Sequence, residues 1–158
     1  MRVFLRRIAW IALLLSVCIA DAAAKDLAVV SNKSNSLQAI ALADLVRVCK
    51  GQTNRWPDGK PVTLVILDPA SGEMRLLLQK VYESSPDAVR ELMSTANHGR
   101  TNHPAIVVVD SDESLVQKVE SIPGAVGVVD VYSITSGVTV LKVAGKSPFE
   151  VGYLLHGN

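Results

Sequence analysis

Val62-Thr63-Leu64-Val65-Ile66-Leu67-Asp68-Pro69-Ala70-Ser71-Gly72 is the stretch on which the architecture turns. Val62 to Leu67 is almost unbroken apolar sequence, as expected of a strand covered on both faces. Asp68 to Gly72 is turn chemistry, and the next residues place Met74, Leu77, Leu78 and Val81 at helical spacing, predicting a helix over Glu73 to Tyr82. Strand, turn and helix form a crossover unit, and the same alternation continues on both sides. Downstream, Ser85-Pro86 opens a second helix with Val89, Leu92 and Met93 on its apolar side, because Ser caps well and Pro suits the first turn. After a polar loop, Asn97 to Pro104, come a strand at Ala105 to Val109 and a helix capped by Ser111 that carries Leu115, Val116 and Val119. Pro123-Gly124 ends that helix, and Val126 to Asp130 and Val138 to Val143 read as the last strands. Upstream, Asp26 to Val30 reads as a buried strand, and Ser31 to Ser36 as a loop. Leu42 to Lys50 reads as a helix stopped by Gly51, and Trp56-Pro57-Asp58-Gly59 as a tight turn. The expected class is α/β, a mostly parallel sheet flanked by helices.

The first 24 residues have a different character. Arg2, Arg6 and Arg7 precede an apolar run from Ile8 to Ala20, and Ala22-Ala23-Ala24 supplies small residues for cleavage, the pattern of a secretory signal peptide. The run of 13 residues falls short of the roughly 20 that span a bilayer. Cleavage is expected after Ala24, leaving residues 25–158 as one exported, periplasmic or secreted domain with no membrane span. Leu5-Arg6-Arg7-Ile8-Ala9 lacks the polar flank of a twin-arginine signal, so general secretion is favoured. Leu15-Ser16-Val17-Cys18 has the outline of a lipidation site, with Val17 where Gly or Ala belongs.

Composition narrows the function. The whole chain carries 16 Lys+Arg against 15 Asp+Glu; cleavage would remove three of the former and Asp21, leaving a slightly acidic domain. That balance excludes a nucleic-acid binder and a polybasic membrane-surface protein. Only Cys49 would remain of the two cysteines, which excludes an internal disulfide and a cysteine-rich metal site; its spacing with Leu45 and Val48 puts it on a buried helix face.

Residues that could carry chemistry do not assemble into familiar sets. His98 and His103 are five apart in a loop and His156 lies far off, without the Cys or acidic partners of a metal centre. Asp110, Asp112 and Glu113 lack the alternating ligands and central Gly of a calcium loop and suit a helix start. Ser71 is not in a nucleophile elbow, since Pro69 and Glu73 stand where glycines are required. No catalytic residue, metal or cofactor is expected.

Several phrases, in order, resemble the phosphate-type periplasmic solute-binding proteins, in particular short single-domain members. They are Leu45-Val46-Arg47-Val48-Cys49-Lys50-Gly51, Arg55-Trp56-Pro57-Asp58-Gly59, Val62 to Leu67 leading into Ser71-Gly72, and Asn102-His103-Pro104. The phrase Ile122-Pro123-Gly124-Ala125-Val126-Gly127-Val128 and the closing Val140-Leu141-Lys142-Val143 and Gly152-Tyr153-Leu154 continue the series. The resemblance implies one lobe of a type II periplasmic-binding protein and a non-catalytic role in capturing a small anion such as phosphate. In such relatives the oxyanion sits at a helix start opened by Ser-Gly-Thr, with an arginine four residues before the serine. Ser71 and Gly72 match, whereas Glu73 replaces the threonine and Leu67 stands at the arginine position. A carboxylate there competes for the positive end of the helix dipole. Ser34, Asn35 and Ser36 are expected to offer further donors from the same sheet edge. The rival expectation is an interaction module that has lost phosphate binding and presents a surface to an envelope protein or to a second copy.

Overall fold

A computed structural model describes residues 25–157. The expected signal peptide, the expected cleavage point and Cys18 lie outside the described residues.

The main sheet has five strands: β1 (Leu27–Asn32), β3 (Thr63–Leu67), β4 (Ile106–Val109), β5 (Ala125–Asp130) and β6 (Val138–Val140). Their spatial order is β4-β3-β5-β1-β6. β3 pairs in parallel with β4 and β5, and β1 pairs antiparallel with β5 and β6, so four strands share a direction and β1 alone is reversed. The sheet is mostly parallel, as the alternation of strands and helices implies. A second, two-stranded sheet joins β2 (Ala39–Ile40) in parallel with β7 (Lys142–Val143). The single strand expected over Val138 to Val143 is therefore two short strands in different sheets. Between them the N–H of Leu141 donates to the Val29 carbonyl at 2.8 Å, while the Lys142 N–H turns to the Gln38 carbonyl at 3.1 Å.

Helices α1 (Leu42–Cys49), α3 (Pro86–Asn97) and α4 (Asp112–Ser121) match the expected segments. Ser85 and Ser111 cap α3 and α4 by accepting the N–H groups of Ala88 and Ser114. The helix expected over Glu73 to Tyr82 changes character along its length: a 3-10 turn at Gly72–Met74, an α turn, α2, at Arg75–Leu77, and a π turn at Leu78–Tyr82. Glu83 ends it in the left-handed region at φ 50°.

β1, β3 and β5 are buried along their whole lengths, which explains their continuous apolar sequences. α4 lies close over β5: a Cβ at Gly127 would come within 2.6 Å of Leu115 Cδ2 and 3.0 Å of Val119 Cγ2. Glycine there sets how near α4 approaches the sheet. Trp56 fills a corner of this core and is 7% exposed. Cys49 is buried, as its helical spacing implies, and its backbone carbonyl accepts the Tyr82 hydroxyl at 3.0 Å.

Candidate functional site

In open α/β sheets, ligands gather beyond the carboxyl ends of the parallel strands. Three strand ends here deliver their following residues to one edge: Asp68 to Gly72 after β3, Asp110 to Asp112 after β4, and Asp130 to Tyr132 after β5.

The first of these turns is tightly specified. Asp68 Oδ1 accepts the Ala70 N–H at 2.8 Å and Arg90 Nη2 at 2.9 Å, while the Asp68 carbonyl accepts the Ser71 N–H at 2.8 Å. The Ala70 N–H, then the Arg90 guanidinium, holds the Asp68 carboxyl below its ordinary range. Ser71 is the cap residue of the 3-10 turn, yet its side chain makes no capping bond. Its Oγ is buried and has no hydrogen-bond partner among the described residues. Beside it, Gly72 faces open space, since a Cβ there would meet nothing within 4 Å. Ser71 Oγ and the first N–H groups of the turn thus form a small set of uncommitted donors.

Charge at this edge is dominated by carboxylates. Glu73 Oε1 takes Lys25 Nζ at 3.0 Å, and the same ammonium lies 3.3 Å from Asp130 Oδ2. These bonds, to Glu73 first and Asp130 second, raise Lys25 above its ordinary value. Asp112 faces the group from the start of α4, and burial, then the nearby Glu73 charge, pushes its carboxyl up. Leu67, at the position where the resemblance calls for arginine, is buried within β3 and offers no donor.

Ser34, Asn35 and Ser36 stand elsewhere. Because β1 runs antiparallel to β5, its end at Ser31 pairs with Val126 near the beginning of β5, so the loop emerges at the opposite edge from Ser71. This corrects the expectation of a shared edge. Their side chains are also engaged. Ser34 Oγ donates to Asn32 Oδ1 at 2.7 Å, and Ser36 Oγ lies 3.4 Å from Asp58 Oδ2. Asn35 is buried, donating to Ser31 Oγ and the Ala125 carbonyl and accepting the Gly124 N–H. Lys25, Asp112, Asp130 and Arg90 belong to the Ser71 edge without any local motif to announce them; only the sheet topology brings them together.

His156 Nδ1 meets Asp26 Oδ1 at 2.8 Å, and no three His, Cys, Asp or Glu side chains among the described residues converge as a metal site. No helix among the described residues is long and apolar enough to cross a membrane.

Solved structures share this fold. An ABC-type phosphate transport receptor from Vibrio cholerae superposes with a TM-score of 0.68 at 19% identity, over 85% of this chain and 55% of its own. The chain has the fold of the phosphate substrate-binding receptors. A phosphate-binding protein from Stenotrophomonas maltophilia gives 0.61 at 21% identity, over 82% of this chain and 42% of its own. A phosphate ABC transporter substrate-binding protein from Clostridium perfringens, with bound phosphate, gives 0.60 at 16% identity, over 80% and 48%. The chain spans about half the length of these receptors. No protein-family profile and no curated protein sequence matches it.

Proposed function

We propose that this chain is a non-catalytic solute-binding protein of the cell envelope, exported by its first 24 residues, that takes a small polar solute at the Ser71 edge. The observation that carries the reading is the buried, unpartnered Ser71 Oγ beside the open Gly72 backbone. A buried hydroxyl without a partner costs free energy unless something supplies one, and ligand oxygen is the natural acceptor. Glu73, Asp112 and Asp130 crowd the same edge with negative charge that, among the described residues, only Lys25 offsets directly. A phosphate dianion suits that field poorly; a solute with at most one negative charge, or one bringing its own cation, suits it better.

Thermal unfolding of the protein with phosphate, sulfate and a panel of polar metabolites tests this, since a ligand of the folded state raises the melting temperature by an amount set by its concentration relative to its dissociation constant. A rise with one solute, abolished by Ser71→Ala, is expected. No rise with any member of the panel would overturn it.

A second reading has its own observation. Tyr132 is 90% exposed on this edge, two residues after Asp130, and an exposed aromatic beside acidic groups suits contact with a protein partner or a second copy. Recovery of one envelope protein by the wild type but not by Tyr132→Ala, with no solute effect, would favour it.

A further inference from the structure

A surface groove lies away from the Ser71 edge. It has a volume of about 620 Å³ and is bounded by the segment from Ser36 to Ala41, helix α1, and the turn at Arg55 to Pro57. That volume lies within the usual range of small-molecule sites, about 300–1,000 Å³. The groove is at the opposite end of the strands, because the Trp56 indole N–H donates to the carbonyl of Gly124, the residue before β5. Leu37, Trp56 and Pro57 supply an apolar wall. Arg47, Arg55 and Asp44 supply the charge, with Arg47 paired to Asp44. Arg55 has no carboxylate partner among the described residues; one of its nitrogens, Nη1, donates to the Gly59 carbonyl at 2.7 Å and the rest of the fork is uncommitted. The groove therefore carries a net positive charge against an apolar wall. The first turn of α1 adds to that field, since its cap residue Ala41 contributes no side-chain acceptor.

We propose that this groove binds a small organic monocarboxylate, its charge on Arg55 with Arg47 in support and its apolar body on Leu37, Trp56 and Pro57. A guanidinium holds a carboxylate through two parallel N–H bonds, so the charged group fixes orientation and the apolar part adds affinity. The site is separate from the Ser71 edge and does not depend on how that edge functions.

The experiment is an amide and indole N–H nuclear magnetic resonance titration of the full chain with phenylacetate, 2-phenylethanol and acetate. Phenylacetate is expected to move the Trp56 indole and Ala43 amide signals saturably, with the other two weaker by about tenfold each, one lacking the charge and the other the apolar body. Arg55→Gln and Arg47→Gln, both at solvent-exposed positions, are expected to weaken phenylacetate, Arg55→Gln by about tenfold. Ser71→Ala is expected to leave it unchanged. Equal binding of 2-phenylethanol, indifference to both arginine substitutions, or loss of binding in Ser71→Ala would each overturn the proposal.

Discussion

The Trp56 indole N–H donates to the Gly124 carbonyl at 2.7 Å, joining two residues 68 apart in sequence. The bond closes the tight turn at Trp56 to Lys60 onto the loop entering β5, and it is buried. Trp56→Phe keeps most of the ring but leaves that carbonyl only the long bond from the Thr63 N–H, at 3.5 Å. A loss of about 1–3 kcal/mol in unfolding free energy is expected, measured by denaturant titration.

Gly124 is constrained from its other side as well. Its φ is +89°, and a Cβ would stand 1.9 Å from the Pro61 carbonyl oxygen, a rigid backbone atom. Gly124→Ala therefore combines a left-handed backbone with a clash, and a loss of about 3 kcal/mol or more is expected in the same measurement. An alanine variant as stable as the wild type would contradict this packing.

Asn35 ties the same region from β1's side, through the Gly124 N–H at 2.8 Å, the Ala125 carbonyl at 3.1 Å and Ser31 Oγ at 2.8 Å. Its part is structural. Asn35→Ala should cost about 3 kcal/mol by leaving buried backbone groups unpaired, while solute binding at the Ser71 edge survives at temperatures where the variant is folded. Calorimetric denaturation, paired with the solute titration, separates the two effects.

These contacts show what could be read in advance and what could not. Gly124, Gly127 and Trp56 stand out by residue type, and their structural roles follow from close approach and from filling a core poor in aromatics. The run at Val62 to Leu67 announced a strand buried on both faces, and Ser85 and Ser111 announced their helix starts. The direction of β1 was hidden, because apolar periodicity is the same read either way. That reversal moves Ser34 to Ser36 from the Ser71 edge to the opposite one. β2 and β7 have two residues each, too few for any pattern. Ser71 and Gly72 were conspicuous, but the orphaned hydroxyl and the link from Lys25 to Glu73 and Asp130 arise only from long-range packing.

Cys49 is fully buried, and burial pushes its thiol from 9.0 up to about 12. A thiol that stays protonated and inaccessible does not react. Labelling by a disulfide reagent near pH 8 should be slow in water and should accelerate with denaturant in step with unfolding. The folded value lies above the unfolded one, so this group's contribution is complete below about pH 9 and declines toward pH 12, where the unfolded chain releases a proton that the folded chain retains. Cys49→Ser would reduce the alkaline part of this decline, which stability measured between those limits detects.

Glu73 connects the electrostatics of the candidate site to its chemistry. Asp112 titrates above its ordinary value because it is partly buried and because Glu73 is close by. Removing the Glu73 charge, as in Glu73→Gln, should lower Asp112 toward the usual carboxylate range, measurable by carbon nuclear magnetic resonance of the side-chain carboxyl. The sign for stability follows: a raised carboxyl favours the folded state below its unfolded value and loses that contribution as pH rises, so the substitution should reduce the loss as pH rises above the ordinary carboxylate value. The same charge repels an incoming oxyanion and holds Lys25 at 3.0 Å. Glu73→Thr should leave Lys25 paired with Asp130 alone, remove a negative charge beside the first-turn N–H groups and strengthen phosphate or sulfate binding, by about tenfold for each 1.4 kcal/mol of repulsion removed. Calorimetric titration of wild type and variant with phosphate decides it, and equal affinities would remove Glu73 from the control of ligand charge.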